Sequence, residues 1–241
     1  MLRVHSIETF GIGEGPGIRL VVFLQGCNFR CLYCQNPDTQ DLNGGNLMSA
    51  QQILEKLEHQ RPYFGNKGGL SVSGGEPLVQ AKKLIELFKM TKEAGINTVL
   101  TTNGSVLNDT VKELLKYTDL VVQDIKHIDS KSHQKLTGQP NATVLEFTEY
   151  LRQIRKPLWL RHVIIPGYTD DPGDLKNWCE HFKDYENLEE IVLIPYHNLG
   201  VYKYALLNRE YKLKDVVSPN REFMQNTVEL FNQYFKKVTI R

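Results

Sequence analysis

Six short apolar runs, each followed by a stretch of helical periodicity, decide which architectures are open to this chain. The runs span 18–26, 69–75, 97–103, 119–126, 158–166 and 188–197. They are rich in Val, Ile and Leu and nearly continuous rather than alternating, as expected of strands covered on both faces. Helical patterns fill 49–60, 80–94, 109–116, 143–155, 174–185 and 221–237. In the second of these Leu84, Leu87 and Phe88 share a face and Gly95 follows as a stop. Ser49 and Gln52 stand at the spacing of a capping box. A segment at 2–10 precedes the first unit, and 238–241 is expected as a last edge strand. Six strand–helix units call for a parallel sheet, open or partly closed into a barrel. The length of 241 residues suits one domain spanning 1–241.

Composition narrows the function by exclusion. Apolar residues make up 41% and charged residues 24%, ordinary for a globular domain. A net charge of +1 gives no electrostatic reason to bind nucleic acid or an anionic membrane. No run approaches the ~18 apolar residues of a membrane span. The first residues, Met1 to Ser6, lack the apolar core and cleavage site of a leader. A cytosolic protein is expected, with neither nucleic acid nor membrane as partner.

The chemistry-bearing residues gather at the carboxyl ends of the six runs, where parallel α/β folds build their sites. The first run leads into Gln25-Gly26-Cys27-Asn28-Phe29-Arg30-Cys31-Leu32-Tyr33-Cys34, and the second into Ser73-Gly74-Gly75-Glu76-Pro77. The others lead into Thr101-Thr102-Asn103-Gly104, Asp124-Ile125-Lys126, Arg161 to Gly167, and Pro195-Tyr196-His197. Three of the four cysteines fall within eight residues, which is unlike a spread disulfide framework. A structural zinc site wants four ligands; His5 or His59 could supply a fourth, but neither sits at a recognisable spacing. Electron-transfer clusters are usually held by four cysteines. Three cysteines leave one iron of a 4Fe–4S cluster open to ligate a substrate. Cys179, between Trp178 and Phe182 on a helical pattern, reads as a small core residue.

The C-x3-C-x2-C spacing after a first strand, with Tyr33 before the last cysteine, resembles the radical S-adenosylmethionine superfamily. The resemblance extends along nearly the whole chain to the pyruvate formate-lyase activating enzymes. It is carried by Glu14-Gly15-Pro16-Gly17-Ile18-Arg19, Gly74-Gly75-Glu76, Thr102-Asn103-Gly104, Asp124-Ile125-Lys126, Arg161 with 163–167, and Pro195-Tyr196-His197. It implies a partial (β/α)6 TIM-like barrel. It also implies a 4Fe–4S cluster on Cys27, Cys31 and Cys34 that cleaves S-adenosylmethionine to methionine and a 5′-deoxyadenosyl radical. That radical would take a hydrogen atom from a glycine of pyruvate formate-lyase.

Further roles follow from the same resemblance. Tyr33 and Gln35 would line the adenine pocket, and His197 would contact the nucleoside. Gly74 and Gly75, with Glu76 and Thr102 beside them, would let backbone approach the methionine moiety. Asp124, Ile125 and Lys126 would meet its ribose and methionine ends, and Arg161 its carboxylate. A flavodoxin or similar one-electron donor and a monomeric state are expected. Gln35 and Glu14 stand where many members carry His and Asp. Thr101 stands where the activating enzymes carry an Asp that helps bind a monovalent cation, so weak or absent cation dependence is expected. An activase of another glycyl-radical enzyme and a small-molecule radical enzyme stay open as alternatives. Activases with an added ferredoxin-like insert are disfavoured, since no cysteine lies between Cys34 and Gly74. Outside enzymes, an electron carrier or a zinc-bound structural protein remains.

Overall fold

The computed structural model describes every residue from Met1 to Arg241. Each apolar run is a strand and ends one or two residues before the sequence pattern does. The ladder stops where the chain must turn toward the strand-end motifs. Nine strands run in the order β3-β1-β2-β4-β5-β6-β7-β8-β9, an open series. The chain forms two compact units.

The first unit comprises Met1–Asn28 and Thr39–Val122. Its strand β1 (Leu2–Gly11) lies antiparallel to β2 (Arg19–Leu24) and to the short β3 (Asn46–Met48). Beyond β2 the sheet is parallel, through β4 (Gly69–Gly74) to β5 (Asn97–Thr102). Helices α1 (Ala50–Gln60), α2 (Ala81–Glu93) and α3 (Asp109–Lys116) belong to this unit. The capping box of α1 is complete, with Ser49 and Gln52 each bonding the other's backbone.

At the amino ends of β2, β4 and β5 lies a fully buried arginine, Arg19. Its Nε donates to Ser71 Oγ at 2.6 Å, Nη1 to the carbonyls of Pro16 and Lys67, and Nη2 to Leu70 O and to Asn97 Oδ1 and O. Burial draws its pKa down to about 10, against the opposite pull of Asp119, so the guanidinium is still charged at neutral pH. All of its donors are engaged, chiefly by backbone oxygens. One side chain therefore ties together three strands and the glycine-rich turn before β2.

The second unit comprises Phe29–Asp38 and Gln123–Arg241, and β6 (Leu120–Asp124) carries the chain into it. Parallel strands β7 (Leu158–Ile164), β8 (Leu188–Pro195) and β9 (Val238–Ile240) are its sheet. Its helices are α4 (Ser130–Thr137), α5 (Ala142–Gln153), α6 (Pro172–Phe182), α7 (Val201–Leu206) and α8 (Arg221–Asn232). Helix α6 starts earlier than its pattern suggests because Asp171 caps it and Pro172 takes the first turn. Trp178 from α6 meets both Phe182 of the same helix and Phe231 from α8 in the core. Three elements lack a sequence signal: β3, α4 and α7. Helix α4 buries only His133, Leu136 and Thr137, so it shows no apolar stripe, and α7 is too short to show a period.

His162 on β7 is buried against Trp178, with Nδ1 2.7 Å from Ile125 O. A carbonyl only accepts, so Nδ1 carries the proton. Burial pulls the pKa of His162 from 6.5 to about 4, although the bond to Ile125 opposes the shift.

Two tests of stability follow. Arg19→Leu strands several buried carbonyls and is expected to cost about 3–5 kcal/mol in urea unfolding, with little recovered by Lys, which has fewer donors. His162 rejects a proton that the unfolded chain accepts. Its contribution is fully present above pH 6.5 and is lost as the pH falls toward 4. The wild type should lose on the order of 3 kcal/mol across that window relative to His162→Gln, whose side chain does not titrate.

Candidate active site

In the first unit β2 and β4 run in step, with Leu24 opposite Gly74, so the strands end together. The cysteine loop leaves at this edge. Gly26 N donates to Thr39 O at 2.7 Å, and Gly26 O accepts from Glu76 N at 2.8 Å. The two glycines of the second motif are needed by the fold itself. A Cβ on Gly74, whose φ is +114°, would lie 2.2 Å from Leu24 N, and one on Gly75 would lie 2.2 Å from Gly26 O. Their closeness to β2 and its loop is a physical reason that strand-end pattern reading does not contain.

Glu76 is almost fully buried and bonds on both oxygens. Its Oε1 accepts from Leu78 N at 2.9 Å and Thr102 Oγ1 at 2.5 Å, and Oε2 accepts from Asn103 N at 2.7 Å. The carboxylate thus fastens the end of β4 to the end of β5. Asn28, within the cysteine loop, donates to Ser105 Oγ and accepts from Asn103, linking the loop to the same strand end. Cys27, which precedes Asn28 in the chain, is half-buried. The hydroxyl of the neighbouring Thr101 is buried with no hydrogen-bond partner.

In the second unit the rest of the cysteine loop rests on helix ends. Arg30 N and Leu32 N donate to Thr137 O and Leu136 O, carbonyls of the last turn of α4 that no helical N–H reaches. Cys31 and Cys34 are half-buried, and Cys34 N donates back to Cys31 O. Tyr33 is buried, and Lys126 Nζ stands 5.3 Å from its ring centroid. Burial raises the Tyr33 pKa above the ordinary phenol range, so the hydroxyl stays protonated.

The fourth and fifth motifs meet in an ion triad. Arg161 Nε and Nη2 clasp Asp124 at 2.6 and 3.0 Å, and Lys126 Nζ approaches Oδ2 at 3.2 Å. The three side chains are only 12–15% exposed. Burial alone would raise the Asp124 pKa, but the two cations hold it well below the usual carboxylate range. Burial likewise disfavours the Lys126 charge, and Asp124, Tyr33 and Cys31 together push its pKa above the usual value. Arg161, expected to take an incoming carboxylate, holds one that the chain supplies. Ile125 lies between the charges, fully buried, and its N–H donates to Arg161 O.

Gln35 spans from the loop to the end of β8. Its Nε2 donates to Tyr33 O and to His197 O, and its Oε1 accepts from Gly200 N at 2.7 Å. His197 is half-buried there, its Nδ1 facing Leu199 N. Lys203 and Tyr204 on α7 also reach the loop, and no motif marks them. The only sequence signal is a run of tyrosines that divides in two: Tyr204 and Tyr211 are buried, whereas Tyr202 is exposed.

No disulfide joins any of the four cysteines. Cys179 is fully buried, and burial pushes its pKa up to about 12, so it is an unreactive core residue. Nowhere do three His, Cys, Asp or Glu side chains gather closely enough to hold a single metal ion.

The sequence profile of the Radical SAM superfamily matches residues 21–179. The chain belongs to the radical SAM superfamily. Within that family its relatives are specific. Proteins of Staphylococcus aureus strains USA300 and NCTC 8325, each named pyruvate formate-lyase-activating enzyme, are 41% identical over 238 residues, 95% of either chain. A domain of pyruvate-formate lyase-activating enzyme from Bacteroides vulgatus superposes with a TM-score of 0.61 at 26% identity, covering 72% of this chain and 99% of that one. Streptococcus suis SuiB bound to precursor peptide SuiA superposes at 0.66 with 20% identity, covering 92% of this chain and 48% of that one. At that identity it speaks to the fold alone. The radical SAM neighbours and the open series of strands bear out the partial-barrel class expected from the sequence. The chain is an enzyme of the radical SAM class, akin to the activating enzymes.

In this radical SAM chain Glu76 has a structural duty before any ligand arrives. In Glu76→Gln one amide donor must face a donor of Leu78, Thr102 or Asn103. The metal-free variant is expected to lose about 2 kcal/mol in urea unfolding. An unchanged midpoint would show that Glu76 serves a ligand only.

Proposed function

We propose that this chain activates pyruvate formate-lyase by generating a glycyl radical on it, with Cys27, Cys31 and Cys34 holding a 4Fe–4S cluster. The reading is carried by near-full-length relatedness to proteins of that name, 41% identical across 95% of both chains. The donor set fits the group: three half-buried thiols at C-x3-C-x2-C, none in a disulfide, with the only other thiol sealed in the core. When bound, such a cluster supplies one electron to S-adenosylmethionine through the iron that no cysteine occupies.

The chain's own residues bind, orient and shield. Cys27, Cys31 and Cys34 act as thiolates. Tyr33 and His197 offer one aromatic and one imidazole surface to the adenosine portion, and Gln35 keeps their backbones in place. Gly74, Gly75 and Thr102 present an edge without bulk for the methionine portion, braced from behind by Glu76. Asp124 stays ionised at any working pH and keeps Lys126 and Arg161 fixed beside Ile125. With Asp124 already paired to two cations and Thr101 offering only a neutral hydroxyl, little attraction remains for a monovalent cation. The macromolecular substrate is a glycine-bearing loop of pyruvate formate-lyase. A flavodoxin-like protein donates the electron, and the chain works as a monomer.

Anaerobic incubation with reductant, S-adenosylmethionine and pyruvate formate-lyase should give the glycyl-radical signal by electron paramagnetic resonance. Cys27→Ala, Cys31→Ala and Cys34→Ala should each lose iron and all deoxyadenosine formation, whereas Cys179→Ser keeps both. Iron loss in the Cys179 variant alone, or activation of a different glycyl-radical enzyme only, would overturn the assignment.

A further inference from the structure

The last cysteine of the loop is held from outside by a short helix with no counterpart among the strand-end motifs. Residues 34–38 of the loop and residues 197–204 around α7 share a dense set of bonds within the second unit. Gly200 approaches so closely that a Cβ there would lie 2.4 Å from Gln35 O. Gly200 N donates to Gln35 Oε1, and Gln35 Nε2 donates to His197 O. Lys203 Nζ donates to Asn36 Oδ1 at 2.7 Å and to the Asp38 carboxylate at 3.2 Å. Tyr204 donates its phenolic proton to the carbonyl of Cys34 at 3.1 Å.

The support behind Tyr204 is rigid. Its ring meets Tyr211 edge to face, with centroids 4.9 Å apart. The Tyr211 hydroxyl lies 2.8 Å from that of Tyr196, which donates to Leu213 O. Tyr33, Tyr196, Tyr204 and Tyr211 share one buried cluster, against which Cys31 and Leu32 pack. Since Cys34 N already donates to Cys31 O, both backbone groups of Cys34 are engaged and its side-chain torsion is its main remaining freedom.

We propose that Tyr204 is a positioning residue for Cys34, its phenol setting the backbone of the last loop cysteine before any group is bound, with Gln35 and Lys203 of the same contact region as its supports. The proposal rests on the reading of Cys34 as a cluster ligand for its purpose, but not for its geometry. A helix tied to the loop at this point removes backbone disorder that would otherwise be lost when a ligand group is captured.

The test uses Tyr204→Phe, which keeps the ring and removes the hydroxyl, beside Tyr211→Phe, which removes a phenol of the same cluster whose hydrogen bond goes to Tyr196 instead of the loop backbone. In the metal-free full-length protein, iodoacetamide labelling is followed cysteine by cysteine by mass spectrometry. Cys34 should react roughly five-fold faster in Tyr204→Phe, with Cys179 unchanged and Tyr211→Phe like wild type. After anaerobic reconstitution, the Tyr204→Phe protein should release iron to a chelator faster and show a shifted resonance spectrum of the reduced cluster. Equal Cys34 labelling and an unchanged spectrum overturn the proposal. So does faster labelling of every cysteine including Cys179, which would mean general loosening. Failure of the wild type to take up iron and sulfide would instead overturn the cluster reading, while the labelling arm would still report on Tyr204.

Discussion

A loop that leaves a parallel strand carries N–H and C=O groups that the sheet no longer pairs, and the structure depends on how those groups are satisfied. In the first unit Gly26 and Cys27 donate to Thr39 and Gln40, so the loop closes on its own return. In the second unit Arg30 and Leu32 donate to the last carbonyls of α4, which are orphans of the helix itself. Two sets of unpaired groups cancel each other. Farther along, the Cys34 carbonyl accepts from Tyr204. The cysteines are therefore mounted on backbone that elements far away in sequence hold in place.

Buried charge follows a similar economy. Arg19 is satisfied by neutral oxygens at the amino ends of its strands, and Glu76 accepts from N–H and O–H donors at the carboxyl ends. Asp124 is the exception, since it faces two cations. Desolvating such groups is costly unless each donor and acceptor is met, so these three positions tolerate little substitution. Glu76 in addition fastens the carboxyl ends of β4 and β5 to each other beside the Gly74-Gly75 backbone.

Much of the fold was legible along the chain. All six apolar runs are strands, the leading segment is β1 and the tail is β9. Most helices begin within one or two residues of their patterns, since caps such as Ser49, Asn108 and Asn220 are local devices. The strand-end motifs were legible as well. Besides the short β3, what escaped were α4 and α7, the helices whose backbone and side chains hold the cysteine loop. Neither carries an apolar period, because one buries a histidine and a threonine and the other is six residues long.

The sequence by itself determined the class of architecture, the gathering of polar motifs at the strand ends and the grouping of three of the four cysteines on one loop. These rest on periodicity and spacing, which are one-dimensional properties. Only the tertiary structure decided that Arg161 embraces Asp124, that Gly74 and Gly75 are required by β2 and its loop, and that Tyr204 reaches Cys34. Those contacts join residues 37, 50 and 170 positions apart. A polar side chain carries the same local signal whether its partner is a ligand or a distant part of its own chain, so only the folded arrangement distinguishes the two.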